Sequence, residues 1–197
     1  MGDWPFVMRI FVAIDIPSDI RQRIGELIEV LQRGAAPIRW SRADGMHITL
    51  KFIGEAPAEK VERIKAALEG VNTVFPVSIR IQGAGCFPSE RAPRVIWLGV
   101  QAGPELAELA EHVEQNLIPW GVAKEDRPFA PHLTVGRLRT PAPIPAVREL
   151  LRQREPLDLG AFTAQEFFLY ESQLAPGGSV YKKLARFPLA GSAREEP

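Results

Sequence analysis

Two short segments, "HITLKF" at 47–52 and "HLTVGR" at 132–137, each set a histidine two residues ahead of a threonine in a run rich in alternating apolar residues. Successive side chains of a β-strand point to opposite faces. As strands, the first therefore turns His47, Thr49 and Lys51 one way and Ile48, Leu50 and Phe52 the other; the second sets His132 and Thr134 against Leu133 and Val135. Each can lay an apolar face on a core and leave a polar pair in the open. The chain has only three histidines, and each half contributes one such strand. This weak repeat predicts two lobes that face each other across a cleft.

The remaining pattern supplies the elements around those strands. "MRIFVAIDI" (8–16) is β-branched and aromatic and predicts a strand, ended by Pro17 and followed by Ser18 as a helix N-cap. A helix is expected over 19–33, where Ile20, Ile24, Leu27, Ile28 and Leu31 recur at spacings of three and four before Gly34. Strands follow at 38–41 and 46–54 across the turn "RADG", then a helix over 57–68 with Val61, Ile64, Lys65 and Leu68 inward. "VFPVSIRIQGAGCF" and "RVIWLGVQ" read as two strands joined by the loop "PSERAP". After Gly103-Pro104 come a helix through "ELAELAEHVEQNLIPW", the second motif strand, a short helix near 145–154, and strands near 157–172 and 179–188. The Pro-rich "RTPAPIPA" is a loop and not a domain boundary. The expectation is an α+β fold of two mainly antiparallel sheets with outer helices facing each other across a central groove, a single bilobal domain over 1–190, with 191–197 as a frayed tail.

Composition narrows the function classes. The 24 basic and 24 acidic side chains cancel, so nothing in the net charge announces a general polyanion binder, and nucleic-acid contact must come from a local patch, with a few terminal nucleotides and not a long duplex. The single cysteine, Cys86, cannot build a disulfide framework and fits a reducing cytoplasm; it reads as packing. The apolar start is broken by Asp3, Pro5, Arg9 and Asp15, Phe6 stands where a myristoylation signal needs Ser or Thr, and no apolar run is long enough to span a bilayer. A cytoplasmic protein with no membrane contact is expected.

The paired motifs carry the chemistry. An imidazole titrates near neutral pH, so one histidine can hold a proton while another lacks it, as concerted acid and base work requires. A threonine hydroxyl two residues on can donate to a non-bridging phosphate oxygen. The four side chains could thus grip and cleave a phosphodiester without metal. A zinc site is the competing reading, but neither motif brings a carboxylate or thiolate to the same face, and Lys51 would repel a cation. No metal and no cofactor are expected. His112, among glutamates at helical spacing, reads as a solvated helix residue.

"HITLKFIGE" and "PHLTVGR", with the opening "RIFVAIDIP" and the closing "YESQLAPGGSVYKKLARFPL", resemble the bacterial and archaeal RNA 2′,3′-cyclic phosphodiesterases, historically called 2′-5′ RNA ligases, of the two-histidine (2H) phosphoesterase superfamily. The likeness spans about residues 8–188. It implies metal-independent opening of a 2′,3′-cyclic phosphate at an RNA end to a 2′-phosphomonoester. It also implies that His47 is the general acid toward the departing 3′ oxygen, that His132 is the general base that activates water, and that Thr49 and Thr134 hold the phosphate. The two histidines have the same local surroundings, so the division of labour comes from the resemblance alone. The expected partners are RNA ends or short oligonucleotides, tRNA fragments among them, bound by a monomer.

Other candidates have two readings each. Lys51 draws the phosphate in or is merely solvated. Arg137 binds phosphate only if Gly136 bends or bulges the strand, because strict alternation turns it away from His132. Trp40 and Tyr181 are aromatic platforms for a base or packing residues, and Phe52 is assigned by alternation to the core face, where packing is preferred to stacking on a base. Ligation of tRNA halves to a 2′-5′ linkage would use the same residues in reverse, and an RNA-end binding module of low turnover is the reading from another class.

Overall fold

The run "VMRIFVAID" forms strand β1 (Val7–Asp15), whose central residues Ile10 to Ile14 are all buried. A strand buried on both faces is a central one, and β1 lies inside the first sheet. The computed structural model describes residues 7–34, 36–71, 75–175 and 178–191. In chain order β1 is followed by α1 (Ser18–Gln32), β2 (Ile38–Trp40), β3 (His47–Pro57), α2 (Ala58–Glu69), β4 (Val77–Phe87), β5 (Val95–Ala102) and α3 (Pro104–Leu117). Then come β6 (His132–Leu138), α4 (Pro145–Arg152), β7 (Asp158–Ala164), β8 (Glu166–Ala175) and β9 (Gly178–Pro188). The strands form a four-stranded sheet, β3-β1-β8-β9, and a five-stranded sheet, β2-β6-β5-β4-β7, with every pair antiparallel. The expected α+β fold of two antiparallel sheets with outer helices is what the chain forms.

The lobes are not the two halves of the sequence. The first sheet takes the first and last strands, the second the middle ones together with β2. The helices cross over as well: α1 packs on α4 and β7 of the second sheet, whereas α2 and α3 pack on β3 of the first. One continuous apolar core results, running from β1 and β3 through the helices into β4, β5 and β6. The inward stripe of α1 is Ile20, Ile24, Leu27, Ile28 and Leu31, as its spacing predicts. Each such side chain stabilises the fold by about 1.5–3 kcal/mol relative to exposure.

Three local expectations are corrected. Ser18 is not the N-cap of α1: Pro17 holds that place, Ser18 is already helical, and no side chain caps the helix. Lys65 sits at the margin of the α2 stripe, with its ammonium 2.7 Å from Glu62 on the outside. Strand β4 begins at Val77; Val74 and residues 192–197 of the expected tail lie outside the described residues. No described helix is long and apolar enough to cross a membrane.

Candidate active site

The first half-site is assembled where β3 begins. His47 stands opposite Asp15 of β1, and the pairing runs in register through Ile14–Ile48 and Ala13–Thr49 before it slips. Leu50 is left without a partner, so that Val12 faces Lys51 and Phe11 faces Phe52. Residues directly opposite in a ladder share a face. His47, Thr49 and Phe52 therefore share the open face with Asp15, Ala13 and Phe11, and Lys51 turns to the core with Val12.

This bulge overturns two expectations. Lys51 cannot meet the phosphate: it is 2% exposed, with its Nζ 2.6 Å from Glu114 Oε1, 2.7 Å from the Ala123 carbonyl and 3.4 Å from Glu125. Glu114 Oε1 also accepts the Glu125 backbone N–H at 2.8 Å. Burial pushes the Glu114 carboxyl up, but the Lys51 hydrogen bond and charge prevail and leave it below its ordinary value. Phe52, assigned to the core, is instead 58% exposed, its ring 6.0 Å from that of Phe11.

Around His47 the open face is aromatic. Phe11 lies 4.6 Å away between ring centroids, Tyr181 meets the imidazole edge-on at 4.8 Å, and Tyr170 stands at 6.0 Å. Tyr181 thus reaches the site predicted for it. It also packs on Gly45, where a Cβ would come within 3.2 Å of its ring. Tyr170 donates its hydroxyl to Asp15, whose other oxygen is 2.5 Å from Lys183 Nζ, and Lys183 lies over the Phe168 ring. Burial and the Asp15 carboxylate push the Tyr170 hydroxyl up, so it stays protonated as a donor. A cavity of about 420 Å³ opens beside His47, lined by Asp15, Arg21, Arg42, Tyr170, Tyr181 and Lys183 among others.

The second half-site repeats the device on β6. His132, Thr134 and Arg137 stand opposite Gly99, Trp97 and Val95 of β5. Val135 is the unpaired residue here, and its bulge shifts the alternation so that Arg137 joins the face of His132 and Thr134. The condition placed on Arg137 is met. Gly136 turns to the core, where a Cβ would lie 2.7 Å from Ile38 and 3.2 Å from the Trp40 ring. Trp40 covers this glycine on the side away from His132 and packs against the core, so it offers no platform in the groove. The aromatics beside His132 are Phe87, edge-on at 5.3 Å, and Trp97, which lies 5.2 Å from Phe87 and covers Gly85 so closely that a Cβ would fall 2.3 Å from its ring.

Both imidazoles are held in the same way. His47 Nδ1 lies 2.9 Å from the Gly45 carbonyl, and His132 Nδ1 lies 2.8 Å from the Ala130 carbonyl. A carbonyl oxygen only accepts, so each Nδ1 carries the proton and each Nε2 is left as the nitrogen that exchanges protons. The segment between β2 and β3 ties the halves together. Ser41 donates its hydroxyl to the Thr134 carbonyl and its N–H to the Val135 carbonyl, both at 2.9 Å, and the chain then turns through 43–45 to present the Gly45 carbonyl to His47. Strands β3 and β6 are in direct contact. No group of three or more His, Cys, Asp or Glu side chains suited to a metal gathers among the described residues.

Burial pushes the His47 imidazolium below its ordinary value of 6.5, and the Gly45 hydrogen bond and Asp15 charge only partly offset this. In the free protein His47 is expected to titrate below pH 6.5 with its proton on Nδ1. Nitrogen-detected histidine NMR over pH 4.5–8 checks both, and a midpoint above 6.5 would contradict the burial argument.

Phe11, Asp15, Tyr170, Phe87 and Trp97 were not singled out in the sequence. A signal existed for two of them: Phe11, Ala13 and Asp15 alternate along "RIFVAIDI" and share one face of the strand. The other three face the histidines only through pairing with strands distant in the chain.

Residues 14–97 and again 98–181 match the LigT-like phosphoesterase family, each segment carrying one His-x-Thr strand. A protein of Archaeoglobus fulgidus named RNA 2′,3′-cyclic phosphodiesterase is 36% identical over 91% of this chain and 99% of its own length. One of Thermotoga maritima with the same name is 33% identical over 90% and 93%. Among solved structures, a protein of Thermus thermophilus superposes with a TM-score of 0.78 at 29% identity over 94% of this chain and 100% of its own. E. coli LigT in complex with 3′-AMP superposes with a TM-score of 0.73 at 28% identity over 93% and 99%. Two family segments, two half-sites and relatives matched along nearly their full length agree: the chain belongs to the LigT-like phosphoesterases of the two-histidine superfamily.

Proposed function

We propose that the protein hydrolyses the 2′,3′-cyclic phosphate at an RNA end to a 2′-phosphomonoester, without metal, between His47 and His132. The observation that carries this reading is the matched tethering of the two Nδ1 atoms, which leaves two Nε2 atoms for proton transfer on strands in contact. The shared name of the relatives supports the substrate class. The nucleotide complexes of E. coli LigT, with 3′-AMP and with ATP, support a site for nucleotides.

In this reading Thr49 and Thr134 donate to the non-bridging oxygens of the cyclic phosphate. His132 Nε2 takes a proton from water, the hydroxide attacks phosphorus, and the P–O3′ bond breaks as His47 Nε2 gives its proton to the 3′ oxygen. His47 is neutral near pH 7 in the free protein because of its burial. The phosphate anion raises its proton affinity, so the acid is loaded as substrate enters. Return of the proton from His132 to solvent completes the cycle. Arg137 and Tyr181 complete the binding surface. The reading includes a single bilobal domain over 1–190 with a tail at 191–197, acting as a cytoplasmic monomer on RNA ends such as tRNA fragments.

The test is turnover of an oligonucleotide ending in a 2′,3′-cyclic phosphate by protein exhaustively treated with EDTA. Undiminished activity is expected. Loss of activity that zinc restores would replace this reading with a metal-dependent one.

A further inference from the structure

Across the β5–β6 ladder His132 faces a glycine, Gly99. The side-chain space above that glycine is filled by backbone from the next strand. Strand β4 pairs Ile81 with Val100 and Ala84 with Leu98, so Gln82 and Gly83 bulge out opposite Gly99 alone. On the β7 side the Gly83 N–H donates to the Leu157 carbonyl at 2.8 Å. The N–H and C=O of one trans peptide point in opposite directions, so the same peptide unit aims the Gln82 carbonyl back over β5. A Cβ on Gly99 would collide with that oxygen, and the Gly83 carbonyl oxygen would lie 3.8 Å from it. Gly83 holds this turn at a φ of +76°, in the left-handed region.

Gly99 and His132 share the open face of the sheet. Directly opposed side chains have Cβ atoms about 4.5–5.5 Å apart, so the Gln82 oxygen stands about one side-chain spacing from His132. The imidazole leans over β5 toward β4, where it meets the edge of Phe87, and its Nδ1 is committed to Ala130. Nε2 and the Gln82 oxygen therefore border one small space above Gly99. A water in that space has two protons and finds two acceptors. The oxygen of an alcohol carries carbon in place of the second proton.

We propose that the Gln82 carbonyl binds the attacking water and makes the site select water over an alcohol, so that the protein opens cyclic ends by hydrolysis in preference to joining them to the 5′-hydroxyl of a second strand. The inference rests on the phosphodiesterase reading above. The water oxygen bonds to phosphorus, one of its protons moves to His132 Nε2, and the P–O3′ bond breaks as His47 protonates the 3′ oxygen. The remaining proton stays on the new P–OH group, hydrogen-bonded to the carbonyl. With an alcohol the carbonyl faces a C–H and loses its donor, and a site built for a hydrogen bond discriminates against the analogue that lacks it.

The experiment follows both reactions of one 2′,3′-cyclic mononucleotide in aqueous methanol, where water gives the 2′-phosphomonoester and methanol its methyl diester, distinguished by mass. Wild-type protein is expected to favour hydrolysis beyond the molar ratio of water to methanol. Gly99→Ala, whose methyl group displaces the carbonyl, is expected to lower the ratio of hydrolysis to methanolysis by about tenfold, the weight of one hydrogen bond. Gly83→Val reaches the same carbonyl without adding an atom beside His132, because a Cβ there meets open space and a β-branched residue does not hold the positive φ. It should lower the ratio likewise, and Gly83→Asn, which tolerates that φ, should restore most of it. A thermal melt of each variant identifies the folded ones, and the Gly83 pair decides if Gly99→Ala does not fold. A ratio unchanged from wild type in folded Gly99→Ala or Gly83→Val, with both reactions slowed equally or not at all, would overturn the inference. Absence of any turnover by wild-type protein would instead overturn the phosphodiesterase reading, and this inference with it.

Discussion

Replacing either His47 or His132 is expected to lower kcat/KM on a 2′,3′-cyclic phosphate by about 10²- to 10⁴-fold, the weight of one positioned proton-transfer group. The double variant is expected to lose little beyond the worse single one, because the proposed acid and base act in the same transition state. The two sites differ in how safely they can be altered. His47 is enclosed by Phe11, Tyr170 and Tyr181, so alanine there leaves a void as well as removing a proton carrier. His47→Gln keeps most of the volume and should lose as much activity as His47→Ala while melting closer to wild type. His132, with Phe87 at its edge, is less enclosed, and His132→Ala should leave the melt nearly unchanged. Activity within a few-fold of wild type in a folded variant at either position would remove that histidine from the mechanism.

The second large effect is on stability. Lys51→Met is expected to cost about 3 kcal/mol, because it leaves the Glu114 carboxylate, only 14% exposed, and the Ala123 carbonyl without their donor. At about 2–4 °C per kcal/mol for a chain of this size, the Tm should fall by roughly 6–12 °C. Combining Lys51→Met with Glu114→Leu should recover much of the loss, since an apolar pair needs no compensating charge. The pH dependence has a definite sign. Glu114 has a folded-state pKa below its ordinary 4.5, so the pair stabilises the fold above about pH 4.5 and loses that contribution as the pH falls through the folded value. Urea unfolding at pH 7 and at pH 3.5 checks this. The gap between wild type and Lys51→Met should be wide at pH 7 and narrower at pH 3.5, and an equal gap at both would contradict it.

The reversal of Lys51 and Phe52 shows where the sequence stops being legible. Alternation correctly places His47 and Thr49 on one face and His132 and Thr134 on one face, because each pair lies ahead of the bulge in its strand. Beyond Leu50 and Val135 the alternation slips by one residue. Gly136 announces the second slip, being a residue that often marks a bulge. The first slip has no such marker, since "TLKF" is good strand sequence throughout and the slip arises from how β1 lies against β3. The consequence is chemical: a lysine that reads as a phosphate ligand is a buried tie to Glu114, and a phenylalanine that reads as core stands in the open. Helix faces were more legible, because the spacing of Ile20, Ile24, Leu27, Ile28 and Leu31 is set within α1 itself. Topology was less so. Nothing local to β1 says that it separates β3 from β8, and for that reason Tyr170 at the His47 site went unseen. Trp40 failed for the same cause, its side being fixed by the pairing of β2 with β6.

In the proposed hydrolysis between His47 and His132 the 3′ oxygen is the one that leaves phosphorus, and that is directly observable. Phosphorus NMR of the product from an oligonucleotide bearing a terminal 2′,3′-cyclic phosphate should show a 2′-phosphomonoester as the only new resonance. A 3′-phosphomonoester would mean that the 2′ oxygen departs, and would contradict the account of how the two histidines face the substrate.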